Sequence, residues 1–544
     1  MLCTYCGGDN PSAFLVCAHC RRPRLITPPT GAGAAATRTQ APPATKPMAT
    51  TTIPPITPRQ RPSAPVAPFH QPAAPVAAAQ PGGTPNFARD ATRYMCAAVQ
   101  LDSALNRRIL AGTVEQPLRA IASSPGVDLA TVLKYAVAAR RRQRITDVLL
   151  LLFLPLWLLF GLGILLGWLV VALERFRTSY RVLAPKLRRS VFDAAQAPEP
   201  ASERMRRRIA DVAARDRGNV TVYPDFEPFL GFGGQEKEWS FVADVSKPAP
   251  GETVRRFTVA EVHDHVAAAV KALNLPGVTV DDRLFAAGDD LLNGSMPTVA
   301  AELLPDPLSA PRQQVGRDVV RRQWDSPQDR ARPYLALRVT GWSGELVMTM
   351  FVRFVQYRHE QLFAEAEYRL LGPLRKDYHS VDDLRDRPSL RQVSRIAAAA
   401  LPIALVRQIR SPYVVLSELF RPMTLRSAHR QDCREITEER TFNYGAPIAP
   451  REMAMDARYH RYFQFADKEH YLKIIERRVL DSLEQFFDAH GIDSSDIRER
   501  QSMILNYGLM ASGNSQIKAD NLAVGNNAKV ATAMMSKAPG GGKG

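Results

Sequence analysis

Four cysteines crowd into the first twenty residues, and their spacing is the strongest chemical signal in the chain. Cys3-Thr4-Tyr5-Cys6 and Cys17-Ala18-His19-Cys20 are two CxxC pairs separated by ten residues. Each pair makes a tight turn, eased after the first by Gly7, so that four thiolates can converge on one tetrahedral ion. A segment of about twenty residues buries too little apolar surface to fold alone, so Zn2+ would supply its folding energy. Cys3, Cys6, Cys17 and Cys20 are therefore expected to hold a structural zinc in a zinc-ribbon-like module over residues 1–26, with no coordination position left for a substrate. A pair of disulfides is the weaker alternative, because the start of the chain does not read as a secretory leader. His19 falls between two ligands and is read as a surface residue. Arg21, Arg22 and Arg24 suit phosphates or an acidic protein, and equally suit water.

Beyond these cysteines no catalytic arrangement emerges. Pro228-Phe229-Leu230-Gly231-Phe232-Gly233-Gly234 is glycine-rich, but it lacks the lysine of a phosphate loop and the spacing of a dinucleotide loop, so it reads as a loop packed between strands. His263 and His265 lie two apart on a predicted helix and point to different faces, which is poor metal geometry. Asp281, Asp282, Asp289 and Asp290 read as solvated turn residues. Cys96 and Cys433 carry no local nucleophile signature, and GxSxG is absent. No small-molecule ligand or substrate can be named.

The elements that must carry these residues follow from composition. Lys and Arg number 71 against 54 Asp and Glu, a net charge of +17, which suits nucleic acid, anionic lipid or an acidic protein partner. Residues 27–85 are Pro, Ala, Thr and Gln without a single Asp or Glu; such a segment cannot offset the entropy of ordering and reads as a disordered tether. Residues 86–145 read as juxtamembrane helices broken at Pro117 and Pro125. From Val148 to Leu173 no residue is charged, and as one helix this run would be about 39 Å long, against a bilayer core of about 30 Å. A transmembrane segment is therefore expected over 146–175. Arginine clusters on both sides, Arg140 to Arg144 and Arg175 to Arg189, favour a re-entrant hairpin bent at Pro155 and Gly161, with a single tilted crossing as the rival. The expected location is the cell membrane, with the zinc ribbon and the C-terminal domain on the cytoplasmic side.

Residues 176–505 read as a soluble α+β domain. Tyr334–Thr340, Glu345–Val355 and Gln361–Leu371 are expected to form an antiparallel meander, and Val259–Leu273 and Asp467–His490 amphipathic helices. Leu390–Phe420 reads as a helix bent at Pro402 and Pro412, with Arg407 and Arg410 arguing against a second span. Residues 506–544 form a Gly/Asn-rich tail. Asn219-Val220-Thr221-Val222-Tyr223, Trp239-Ser240-Phe241, Asp282-Arg283-Leu284-Phe285 and the tail Leu522-Ala523-Val524-Gly525-Asn526-Asn527 resemble an uncharacterised family of actinobacterial membrane proteins. The resemblance covers most of the chain after residue 140 and implies an architecture but no activity.

The fold class expected from the sequence is thus a membrane-anchored α+β protein: small zinc ribbon, disordered linker, one apolar membrane helix or re-entrant hairpin, and a domain of mixed antiparallel sheet and helix. The function expected is a non-enzymatic scaffold or sensor, with membrane lipid as one partner and a protein bound by the zinc ribbon as another. Nucleic-acid binding at the membrane is the second reading, and an enzyme whose site assembles only in the fold is the third.

Overall fold

The computed structural model describes residues 88–505, apart from 159–160, 326–327 and 386. Helices α1 (Arg89–Leu101), α2 (Ser103–Thr113), α3 (Leu129–Phe153), α4 (Leu162–Arg177), the short α5 (Ala184–Leu187) and α6 (Glu203–Asp216) precede the first strand. Strands β1 (Val220–Tyr223), β2 (Gly234–Asp244) and β3 (Val278–Ala287) are interleaved with α7 (Val259–Lys271). After α8 (Pro297–Leu303) and α9 (Arg317–Asp325) come β4 (Ala331–Gly341), β5 (Leu346–Tyr357) and β6 (Gln361–Leu371). The last of the described elements are α10 (Leu390–Arg434), α11 (Pro450–Met453), α12 (Tyr462–Ala489) and α13 (Ser495–Leu505).

The six strands form one mixed sheet in the order β1-β3-β4-β5-β6-β2. Only β1 and β3 run parallel; the remaining neighbours are antiparallel. β4, β5 and β6 make the meander read from the sequence. Alternation along β5 explains its position at the centre: Met348, Met350 and Val352 face the core beneath α7 and α12, while Phe351 packs on the other face. The α12 face offers Ile475, Val479 and Leu483, and α7 offers Val262, Val266 and Val270, all fully buried. Each of these side chains contributes about 2 kcal/mol by leaving water. Helix α7 starts where Thr258 and Glu261 form a reciprocal capping box.

The opposite face of the sheet carries aromatic packing. Phe229 and Phe232, from the glycine-rich loop, sit against Phe285, Tyr334 and Phe351, with ring centroids 4.7 Å apart for Phe229 and Phe351. A second core joins α1, α2 and the first half of α3 to α6 and to Leu374, Tyr378 and Val381.

Two expectations are corrected here. No helix among the described residues is long and apolar enough to cross a membrane, so residues 146–175 do not form one membrane helix, and the membrane-anchored fold class gives way to an α+β fold with a mixed sheet. The physical reason lies in the run itself. Pro155 opens a 3-10 turn over Pro155–Leu158, and Gly161, at φ +72°, caps a new helix, α4. The apolar stretch is thus divided, and charge enters its flanks through Asp147 and Glu174. Among the described residues, moreover, no group of His, Cys, Asp and Glu could hold a metal ion; Cys3, Cys6, Cys17 and Cys20, with the linker and the tail, lie outside the described residues. Asp281 and Asp282, expected in a turn, are strand residues of β3, paired with Ala336 and Leu335 of β4.

Candidate functional site

Helix α10 has the length of about 67 Å that 45 residues give, and it packs along both α4 and α3. Close approach of α10 to α4 depends on Gly167, while Gly163, one turn earlier, lets α4 pack against Phe153 and Trp157. The Gln408 amide donates to the Gly163 carbonyl at 3.0 Å, and any side chain at 167 would run into the Gln408 carboxamide. The Trp168 indole donates to the Ala397 carbonyl at 2.7 Å.

This three-helix bundle has a small apolar centre, Leu150, Val171, Ala400 and Ala404 with Trp168, Val170, Ala172 and Ile403 against it, and charge joins its helices beyond that centre. Arg407 bridges two helices, with Nη2 2.7 Å from Asp147 Oδ1 and Nη1 3.4 Å from Glu174 Oε2. Further along, Arg140 reaches Glu418 at 2.8 Å, and Arg140 and Arg421 share Glu115. Burial pushes the Glu418 carboxyl up, but Arg140, Arg144 and Arg421 outweigh it and hold the group below the usual carboxylate range.

The outward faces have the opposite character. Ile145, Val148 and Leu152 on α3, and Leu162, Leu165, Leu169 and Leu173 on α4, recur every three or four residues and are exposed. On α10 the stripe is Val406, Ile409, Tyr413, Leu416, Phe420 and Met423, with Met423 71 % exposed. Arg141, Arg177, Arg181, Arg395 and Arg410 are exposed on or beside the same helices. The acids Asp147, Glu174 and Glu418 are turned onto arginines within the bundle. An apolar patch of this extent, rimmed by one sign of charge, marks an interaction surface.

The other singled-out residues have structural roles. The backbone amides of Gly231 and Gly233 donate to Glu452 Oε1, at 3.0 and 2.6 Å, so the anion received by the glycine-rich loop is the chain's own carboxylate. His263 is fully buried and stacked on Trp324 at 4.0 Å; burial drives its imidazole down to about 3. His265 faces Phe486 instead, as the two-residue offset requires. Cys96 is fully buried, and burial raises its thiol well above the ordinary value. Cys433 lies on α10 with His429 Nε2 at 3.8 Å. Asp290 is buried and paired with Arg330 at 2.6 Å.

A histidine pair escaped the sequence reading. His379 Nε2 lies 3.0 Å from Glu345 Oε1, Tyr94 stacks on the ring at 3.8 Å, and His460, itself 3.1 Å from Asp456, meets it edge-on. These residues come from segments up to several hundred positions apart, so no local spacing could reveal them. They link α1 to the segments that flank the sheet.

The described residues define an α+β domain with a helical bundle whose helices are joined by ion pairs beyond a small apolar centre and whose outer face is apolar and arginine-rich. The chain belongs to the AbeC-like domain family, whose model matches residues 238–518. That span takes in β3 to β6, α7 to α13 and the second half of β2, whereas α3 and α4, which complete the bundle with α10, lie outside it. No match was found among curated proteins or solved structures.

Proposed function

We propose that this protein is a non-enzymatic scaffold that rests on an anionic lipid surface through the outer face of α3, α4 and α10. The observation that carries the reading is the division of the bundle: leucine-class side chains and exposed arginines outside, carboxylates inside. Docking would sink the apolar stripes to the headgroup boundary, with the arginines at phosphate depth. Burying half a dozen half-exposed side chains contributes about 1 kcal/mol each, and each arginine near the surface about 1 kcal/mol more. The helices would lie on the lipid and not traverse it. In this reading the zinc ribbon of Cys3, Cys6, Cys17 and Cys20, at the end of its Pro/Ala-rich tether, recruits a protein partner to the surface where the α+β domain sits. The resemblance to actinobacterial membrane proteins, which covers most of the chain after residue 140, favours the lipid part of this reading.

Flotation of the full chain with phosphatidylglycerol-containing and pure phosphatidylcholine vesicles tests it. The protein should float with the anionic vesicles at low salt. Leu152→Glu combined with Ile409→Glu, at exposed positions, should abolish flotation while leaving thermal stability unchanged. Failure of the unaltered protein to float would end the proposal. So would a lipid-free dimer that the same two substitutions disperse, because the face would then join copies of the chain.

A further inference from the structure

A cavity of about 590 Å3 lies away from the bundle, bounded by the Ser123–Val127 segment, the end of α6, β3, β4 and Lys271 of α7. Five basic side chains line it, Arg217, Lys271, Arg283, Arg317 and Arg338, against three carboxylates, Asp216, Asp281 and Asp282. The carboxylates do not balance the cations one for one. Asp281 holds Arg338 at 3.0 Å, and Asp282 holds Arg317, which also reaches Asp264. Arg217 reaches Asp128 at 3.5 Å.

Arg283 donates hydrogen bonds to hydroxyls alone; its guanidinium carbon lies 5.1 Å from the centre of the Phe232 ring, and Asp281 and Asp216 act on it only through their charge. Arg283 is 4 % exposed, and its Nη1 donates to Ser123 Oγ at 3.1 Å and Thr221 Oγ1 at 3.2 Å. Its Nε has no hydrogen-bond partner among the described residues, nor does Arg338 Nε or Ser124 Oγ. A buried guanidinium that no carboxylate meets in an ion pair is poorly compensated for leaving water, and an unsatisfied buried donor adds to this. These three groups lie behind the cavity wall, and what the cavity offers an anion is the outer N–H groups of Arg283 and Arg338 together with the Lys271 ammonium.

We propose that this cavity binds a small phosphorylated compound, with Arg283, Arg338 and Lys271 on the phosphoryl oxygens. A carboxylate offers two oxygens and one charge, whereas a phosphate monoester offers three oxygens and close to two charges, which matches donors arriving from separate walls. The volume falls in the range of small-molecule sites, so space remains for an organic portion against Val127, Val280 and Leu335, which also line the cavity. Asp216 is compatible with an anion, because burial raises its carboxyl to about 7; the neutral form does not repel phosphate. The proposal is independent of the lipid reading, since none of its residues lies on α3, α4 or α10.

Calorimetric titration and thermal melts of the full chain test it, with inorganic phosphate, glycerol 3-phosphate and malate at matched ionic strength in chloride. Phosphate and glycerol 3-phosphate should bind and raise the melting midpoint, and malate should not. Lys271→Ala, at an exposed position, should weaken phosphate binding roughly tenfold, as loss of a charged hydrogen bond does; Arg338→Gln should weaken it further. Dihexanoyl phosphatidic acid separates the sources: binding equal to that of glycerol 3-phosphate places a lipid headgroup in the cavity, and exclusion restricts it to free compounds. A midpoint that follows ionic strength alone would overturn the proposal. So would unchanged phosphate affinity in Lys271→Ala, whatever the folding of the Arg338 variant.

Discussion

Asp216 should make the protein less stable as pH rises, and replacing it with asparagine should remove that slope. The carboxyl is buried at the end of α6 and accepts one hydrogen bond, from the Ser124 amide at 2.7 Å. Burial raises its folded value to about 7, against the opposing influence of that amide, Arg217 and Arg283 and with a small addition from Asp128. An unfolded aspartate titrates near 3.9. Between these two values the native state holds a proton that the unfolded state has released, so stability declines as pH rises through this window and is flat above it. From pH 5 to pH 8 the loss amounts to about 2.5 kcal/mol. Asparagine keeps an oxygen for Ser124 and carries no titrating proton. The difference in unfolding free energy between Asp216→Asn and the parent, read from urea melts followed by circular dichroism, should therefore grow by that amount across the window. Any constant offset from the amide itself cancels in the slope. Parallel pH curves for the two proteins would refute the reasoning, because they would mean that the carboxyl is solvated in the folded state.

Two further outcomes follow from arginines held inside the fold, the half-buried Arg407 and the fully buried Arg451. Arg407→Met should cost the bundle about 3 kcal/mol by stranding Asp147 and Glu174 together, and adding Asp147→Asn and Glu174→Gln should restore most of the loss; hydrogen exchange of the α4 amides reads both. Arg451 is fully buried, and its Nη2 donates to the carbonyls of Glu345 and Gly372 at 3.1 and 2.7 Å, so Arg451→Leu should lower stability by about 3 kcal/mol through the unsatisfied acceptors, measured by urea melts at pH 7.

Sequence periodicity revealed elements whose stability comes from one face. The α12 stripe Leu472, Ile475, Val479, Leu483 and Phe486 is buried as its spacing predicts, and β6 spans the very residues that its alternation marked, Gln361–Leu371. The run Val148–Leu173 reads as bent at Pro155 and Gly161, and those residues do divide it between two helices; its length and freedom from charge misled only in suggesting a membrane segment, since neither helix is long and apolar enough to cross a bilayer. Arg407 was noticed only as an obstacle to a second span. Its partners lie 260 and 233 positions away, and no local spacing encodes such a pairing. The same holds for the cavity: Asp281 and Asp282 resembled a hydrated turn because their partners, Arg338 and Arg317, arrive from later segments. Strand β3 itself was hidden by those two acids, since charge in its first half breaks the apolar alternation.

The ionic seam of the helical bundle also bears on how the chain reaches its native state. Asp147 and Glu174 emerge from synthesis more than two hundred residues before Arg407, so two acid-bearing helices must wait for their counter-charge while a leucine-rich surface stands open. Contacts of such separation form slowly, and the interval leaves a sticky, half-assembled species. A nascent chain of this kind is exposed to clumping until α10 arrives.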